Sequence, residues 1–208
     1  LATPPEAVAA LQPYVSSAQL ATVAQAGALG PLPGLTAWLR ARAFALLDVP
    51  TWFAPVHVGA CRACDHCMCN TAAHLALAID LAPDAFPPAD AAAVAAGVGR
   101  LFLEPFLDGT ADPCEWWFRP GMASNWKIMC CGDGGLAACS FADHWPHARA
   151  AMARAAQGVL DVLDSVPPEG DWGEGVGYWF ATLHLGLRFA HALRRRSRRL
   201  FLDLLEPP

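Results

Sequence analysis

A chain of 208 residues, 55% of them hydrophobic, can bury one substantial core and is too apolar to be disordered throughout. A formal net charge of −5 and a single lysine, Lys127, leave no broad basic face to neutralise phosphates, which excludes a general nucleic-acid binder. The apolar runs are interrupted by Asp80, or by His184 and Arg188, short of the roughly 18 residues a membrane span needs, so no membrane partner is expected. The chain opens on Leu1 with no basic segment followed by an apolar one. Processing or truncation upstream is therefore expected, and the compartment stays open: periplasmic or secreted if a signal peptide has been removed.

Alanine and leucine dominate, with proline and glycine falling mostly between periodic runs, a helical pattern. It predicts helices over 5–12, 17–27, 35–47, 63–81, 88–107, 127–142, 146–164 and 175–203. Pro87-Pro88 suit the start of the fifth, where Val94, Val98 and Leu101 recur at helical spacing. Trp145, Met152, Val159 and Leu163 share a face of the seventh, and Trp179, Leu183, Leu187 and Ala190 a face of the eighth. Segments such as Trp52–Val56 are extended at most. An all-α domain of serial antiparallel helix pairs spanning 1–208 is the simplest architecture. The basic run Arg194–Arg199 ends the last helix, where cations suit the dipole, and is read as a solvated helix end before a polyanion site.

Two aromatic and polar clusters stand at helix beginnings. The first runs from Cys114 through Glu115, Trp116, Trp117 and Arg119 to Asn125 and Trp126; the second from Gly170 through Asp171, Trp172 and Glu174 to Tyr178 and Trp179. Indole faces stack on the C–H faces of sugars, while the structural alternative is that these tryptophans wedge helix ends together.

The string Asn125-Trp126-Lys127-Ile128-Met129-Cys130-Cys131-Gly132-Asp133-Gly134-Gly135-Leu136-Ala137-Ala138 resembles the Asn-Trp…Cys…Gly-Gly…Leu-Ala-Ala helix of heparinase II/III-like proteins. That family continues about fifty residues later with Asp-Gly and then Glu-Gly-x-x-Tyr; Gly170–Tyr178 fills the place here, 178 − 125 = 53 residues on. The resemblance covers 114–193. It implies an α/α toroid of antiparallel helical hairpins, incomplete here, with the family's following β-sandwich domain absent, so that the chain is expected to be a fragment. It implies a polysaccharide lyase that cleaves an acidic, uronate-containing glycan by β-elimination without a cofactor. Asn125 would neutralise the uronate carboxylate as charge develops, and Tyr178 would act as catalytic acid, with the part of base also open. Trp126, Trp117, Arg119, Glu174 and His57 are the expected substrate contacts; Glu174 at a helix start makes equal sense as a structural carboxylate. Many characterised lyases carry a histidine after the asparagine where this chain has Trp126. His184 does not replace it, since six residues from Tyr178 it lies about 240° round the helix. His184, Arg188, His191 and Arg195 are read as one polar stripe.

Eight cysteines include Cys61-x-x-Cys64-x-x-Cys67-x-Cys69, with His57, His66 and His74 nearby. On a helix Cys61, Cys64 and Cys67 would fan over about 120° and could not converge on one ion without loop geometry. No stoichiometric metal is therefore expected, and the thiols are read as mostly buried and free, with disulfides and a metal site as the alternatives. Two alternative functions stand beside the lyase: a carbohydrate-binding or scaffold domain without turnover, and a zinc-dependent toroid enzyme. For the latter, Cys130-Cys131-Gly132-Asp133-Gly134-Gly135 is faintly similar to the Trp-Cys-x-Gly motif of lanthionine cyclases, but their Cys-His-Gly element is missing.

Overall fold

The computed structural model describes residues 5–30, 32–112 and 114–197, and within them every regular element is helical. In chain order these are α1 (Pro5–Leu29), α2 (Leu35–Leu47), α3 (His66–Leu81), α4 (Pro88–Val98), α5 (Glu104–Gly109), α6 (Asn125–Ser140), α7 (Ala148–Asp164) and α8 (Val176–Ser197). Short 3-10 turns lie at Pro55–His57, Pro83–Ala85 and Trp116–Phe118. No described helix is long and apolar enough to cross a membrane.

Three boundaries differ from the sequence expectation. The predicted helices 5–12 and 17–27 are one, with Pro13 inside it. Proline forfeits a single ladder bond, and burial of Ser17, Leu20 and Ala24 holds the continuing helix down. The helix expected from residue 63 starts at His66, because Asp65 is extended (φ −128°, ψ 171°) and its carboxylate accepts from Met68 N. The predicted helix over 88–107 is interrupted by a π-turn at Gly99–Leu103, which turns Leu101, Phe102 and Leu103 all into the core. The predicted 198–203 lies outside the described residues.

Helix α6 is the centre of the molecule. Every one of its residues except Trp126, Met129 and Ser140 is buried, with α3, α7 and α8 packed around it. That explains its glycines: a Cβ on Gly132 would lie 2.9 Å from Leu185 Cβ, and one on Gly135 2.5 Å from the Phe189 ring. These approaches also fix direction. Gly132 meets Leu185 and Gly135 meets Phe189, so α6 and α8 run parallel. Asn70 bonds Asp133, and Ser140 Oγ donates to Asp80 at 2.7 Å, so α3 and α6 run parallel too. Cys131 faces Gly158 while Cys139 Sγ meets Met152 Sδ at 3.5 Å, so α7, which follows α6 in the chain, runs antiparallel to it. Helices α3, α6 and α8 consequently all begin at one end of the molecule.

Candidate functional site

That shared end gathers most of the residues singled out above. Asn125 is the first residue of α6, behind a Ser124 cap whose hydroxyl accepts from Lys127 N at 3.3 Å. Its backbone N–H donates to Glu174 Oε2 at 2.8 Å, tying the loop before α8 to the start of α6. A carboxylate facing the free N–H groups of a helix start is favoured by hydrogen bonding and dipole together. Glu174 thus draws the second motif against the first. Tyr178 lies in the first turn of α8 and is half-exposed. Seven and eleven residues on along the same stripe come Leu185 and Phe189, the side chains that meet α6. Tyr178 is therefore on the face of α8 turned toward α6, at the end where Asn125 begins.

Trp126 is half-buried and forms the centre of an aromatic group. Its ring meets His57 edge-on at 4.8 Å, His66 at 4.6 Å and Trp116 at 5.4 Å between centroids. His57, reached through the turn Pro55–His57, is held by Asp65: Nδ1 and Oδ2 are 2.7 Å apart. Asp65 is completely buried and also accepts from Ala54 N at 2.8 Å and Met68 N at 3.0 Å. Next to it, Glu115 is buried and accepts from Arg62 N and Ala63 N, both at 2.6 Å. These two carboxylates shape the loop 52–65 on the 114–118 segment. Asp65 is not singled out in the sequence reading, while Glu115, Trp116 and His66 appear there only within the aromatic cluster and beside the cysteines, with no substrate role. The readable signal was Asp65 immediately before an apolar periodic run, a cap pattern.

Of the expected substrate contacts, Trp117 is placed differently. Trp117 is fully buried, stacks near Phe106 and donates its indole N–H to Cys64 O at 3.2 Å, so it has no face left for a sugar. Arg119 is exposed, and its carbonyl accepts from Lys127 Nζ at 2.8 Å. The single lysine is itself wholly buried, 3.6 Å from Asp161 and beneath the Phe118 ring, and pins this loop from inside. Trp172, stacked on Trp179 at 5.4 Å, wedges the loop before α8.

The cysteines do not lie on one helix. Cys61 and Cys64 precede α3 and Cys67 and Cys69 are inside it, which removes the helical-fan geometry from which absence of metal was argued. Cys64 and Cys69 are 3.8 Å apart and Cys69 also bonds Cys130, a buried thiol group in the core. All eight cysteines are free thiols here, and only Cys114 is not buried. Burial pushes Cys61 up to about 11 and Cys67, Cys130 and Cys139 up to about 12. Cys130 and Cys131, at the position compared with the cyclase motif, are fully enclosed.

The cavities lie elsewhere. One of about 750 Å³ opens between α3, α6 and α8 toward their C-terminal halves. His184, Arg188, His191 and Arg195, expected as one polar stripe, line it together with Asp80 of α3. Beside it, Asp133 is buried, bonded by Asn70 and 3.8 Å from Arg188. Burial pushes its carboxyl up to about 6 against the opposing pull of Arg188 and Asn70. His74, across from Arg188, is pushed down to about 4 by burial and by that guanidinium. No family model and no curated protein sequence matches this chain.

Proposed function

We propose that this chain is a helical domain that binds an acidic, uronate-containing glycan at the shared beginnings of α6 and α8, and that it belongs to a β-eliminating polysaccharide lyase. The observation that carries the reading is the bond from Asn125 N to Glu174, which sets two motifs 53 positions apart in sequence side by side. Buried Asn125 at the start of α6 and half-exposed Tyr178 in the first turn of α8 then stand at the same end, with half-buried Trp126 next along the chain. Chemically, such a set neutralises a carboxylate, offers a proton to a leaving oxygen and stacks on a sugar ring. Parallel α6 and α8 joined by the return helix α7 match one hairpin step of an α/α toroid, and we read α3, α6 and α8 as its inner helices.

The test is a panel of uronate and neutral polysaccharides, followed by calorimetry and by ultraviolet absorbance of unsaturated products. Uronate chains should bind in preference to neutral ones. Trp126→Ala should weaken binding about tenfold, the equivalent of roughly 1.4 kcal/mol, and Tyr178→Phe should abolish absorbance while leaving binding and helicity in place. Equal binding of neutral glycans, or chain cleavage without unsaturated product, would overturn the reading.

A further inference from the structure

We propose that His57, His66 and Cys67 form a binding site for one divalent metal ion of the zinc class, with three protein ligands and a fourth position open. The site stands independently of the glycan reading.

Its geometry comes from the loop-to-helix junction. His66 and Cys67 are the first two residues of α3, and the turn Pro55–His57 folds back over them. One donor atom from each of the three lies within 4.8 Å of the others, the sole such trio among the described residues. His66 Nδ1 and Cys67 Sγ are 3.8 Å apart. Two ligands of a tetrahedral zinc ion, one nitrogen and one sulfur, stand about 3.6 Å apart given their usual bond lengths. That pair is already spaced for coordination, and a nitrogen of His57 lies within 4.8 Å of both partners.

The arrangement around His57 is the second observation. Its Nδ1 is engaged by the buried Asp65 carboxylate, which leaves Nε2 as the free nitrogen and fixes the ring's orientation. A carboxylate behind a histidine is the usual outer partner of a metal-bound imidazole. Asp65 is itself locked by Ala54 N and Met68 N, so its grip on the ring does not depend on the solvent-facing surface. Trp126 closes the other side, its ring against both imidazoles. Two imidazole nitrogens and one sulfur are borderline to soft donors, which select zinc and its neighbours over magnesium or calcium. Three protein ligands, against the four of structural zinc, leave a coordination position for an exchangeable molecule. On binding, the Cys67 thiol passes its proton to solvent and coordinates as thiolate.

The experiment uses the whole chain, freed of metal with a chelator and titrated with zinc and then cobalt. One equivalent of zinc should bind and survive gel filtration. The cobalt form should show the visible bands of a four-coordinate ion with charge transfer from a single thiolate. Cys67→Ser and His66→Gln should each weaken zinc binding at least about 100-fold. Asp65→Asn, which keeps an acceptor for the helix cap, should weaken it about 10- to 100-fold. Cys61→Ser and Cys139→Ser should leave it unchanged. Failure of the parent chain to hold zinc would overturn the proposal, as would a cobalt spectrum of two or more thiolates. The parent spectrum decides the matter even where a variant fails to fold. Absence of glycan binding in the zinc-loaded chain would count against the proposed function alone.

Discussion

At the residue scale, the molecule is organised by a few buried charges that sequence composition hides. Asp65 and Glu115 each serve several backbone donors, Lys127 spans from α6 to α7, and Asp133 sits in the core beside Arg188. Asp133 and His74 are a pair with opposite consequences for pH. The Asp133 pKa is raised in the fold, so between its unfolded value near 3.8 and about 6 the native state holds more protons than the unfolded one. Its contribution is therefore full below about 4 and is lost as pH rises through 6. The His74 pKa is lowered to about 4 from 6.5, so in the same window the unfolded state holds more protons, and this contribution is lost as pH falls. The two slopes oppose each other in the parent. In Asp133→Asn, stability should therefore fall more steeply on going from pH 6.5 to 4. In His74→Gln it should fall less steeply, or rise. Denaturant midpoints across that range measure both, and slopes identical to the parent's in either variant would contradict the assignment. Neither residue's burial could be read from the chain, because an isolated Asp in a glycine-rich helix has the same pattern whether it faces water or core.

Elements were the most legible level. The periodic alanine and leucine runs located each described helix from α2 onward to within a few residues, apart from the π-turn between α4 and α5. The start of α3 was missed because Cys61 and Cys64 fit an apolar helical spacing while the backbone is decided by the Asp65 cap. Direction was not legible at all: parallel packing of α3, α6 and α8 depends on where glycines admit a neighbour, and Gly132 or Gly135 looks like a helix defect in isolation. The structure turns that around. Alanine is a better helix former than glycine by about 1 kcal/mol, yet a Cβ on Gly132 meets Leu185 Cβ at 2.9 Å and its carbonyl oxygen at 3.0 Å. Backbone cannot swing aside, so Gly132→Ala should destabilise by about 1–3 kcal/mol despite its propensity. Gly177→Ala, in the first turn of α8 with nothing within 4 Å of the added carbon, should stabilise by about 0.5 kcal/mol. Chemical denaturation of the two variants beside the parent tests the contrast; a stabilised Gly132→Ala protein would mean that α6 and α8 are not in contact there.

For the whole molecule, the candidate site is assembled from parts of unequal support. The motif residues at 125–126 and 174–178 were visible in the chain, but their meeting required α7 to return between two parallel helices, and the His57–His66 contact joins residues that flank a loop. Helix α6 is enclosed by neighbours on all sides. Helix α8 is held mainly through Thr182, Phe189 and Leu193, and leaves Val176, Phe180 and Leu187 exposed among the described residues. Free energies of local opening follow such differences in buried contact. Amides of Cys130–Ala138 should therefore exchange only through global unfolding, with the full denaturant dependence and the full stability, of order 5–15 kcal/mol. Those of the first two turns of α8 should open at a lower free energy and with a weaker denaturant dependence. Such an opening removes Glu174 and Tyr178 from the seam while His57, His66, Trp126 and Asn125 stay packed on α3 and α6. Native-state hydrogen exchange resolved by residue distinguishes the two classes. Protection of α8 equal to that of α6 would show that the two halves of the site form and dissolve as one unit. The predicted order instead makes the Tyr178 side the part that a bound ligand stabilises most, since a ligand spanning the seam shifts the local opening equilibrium by its own binding free energy.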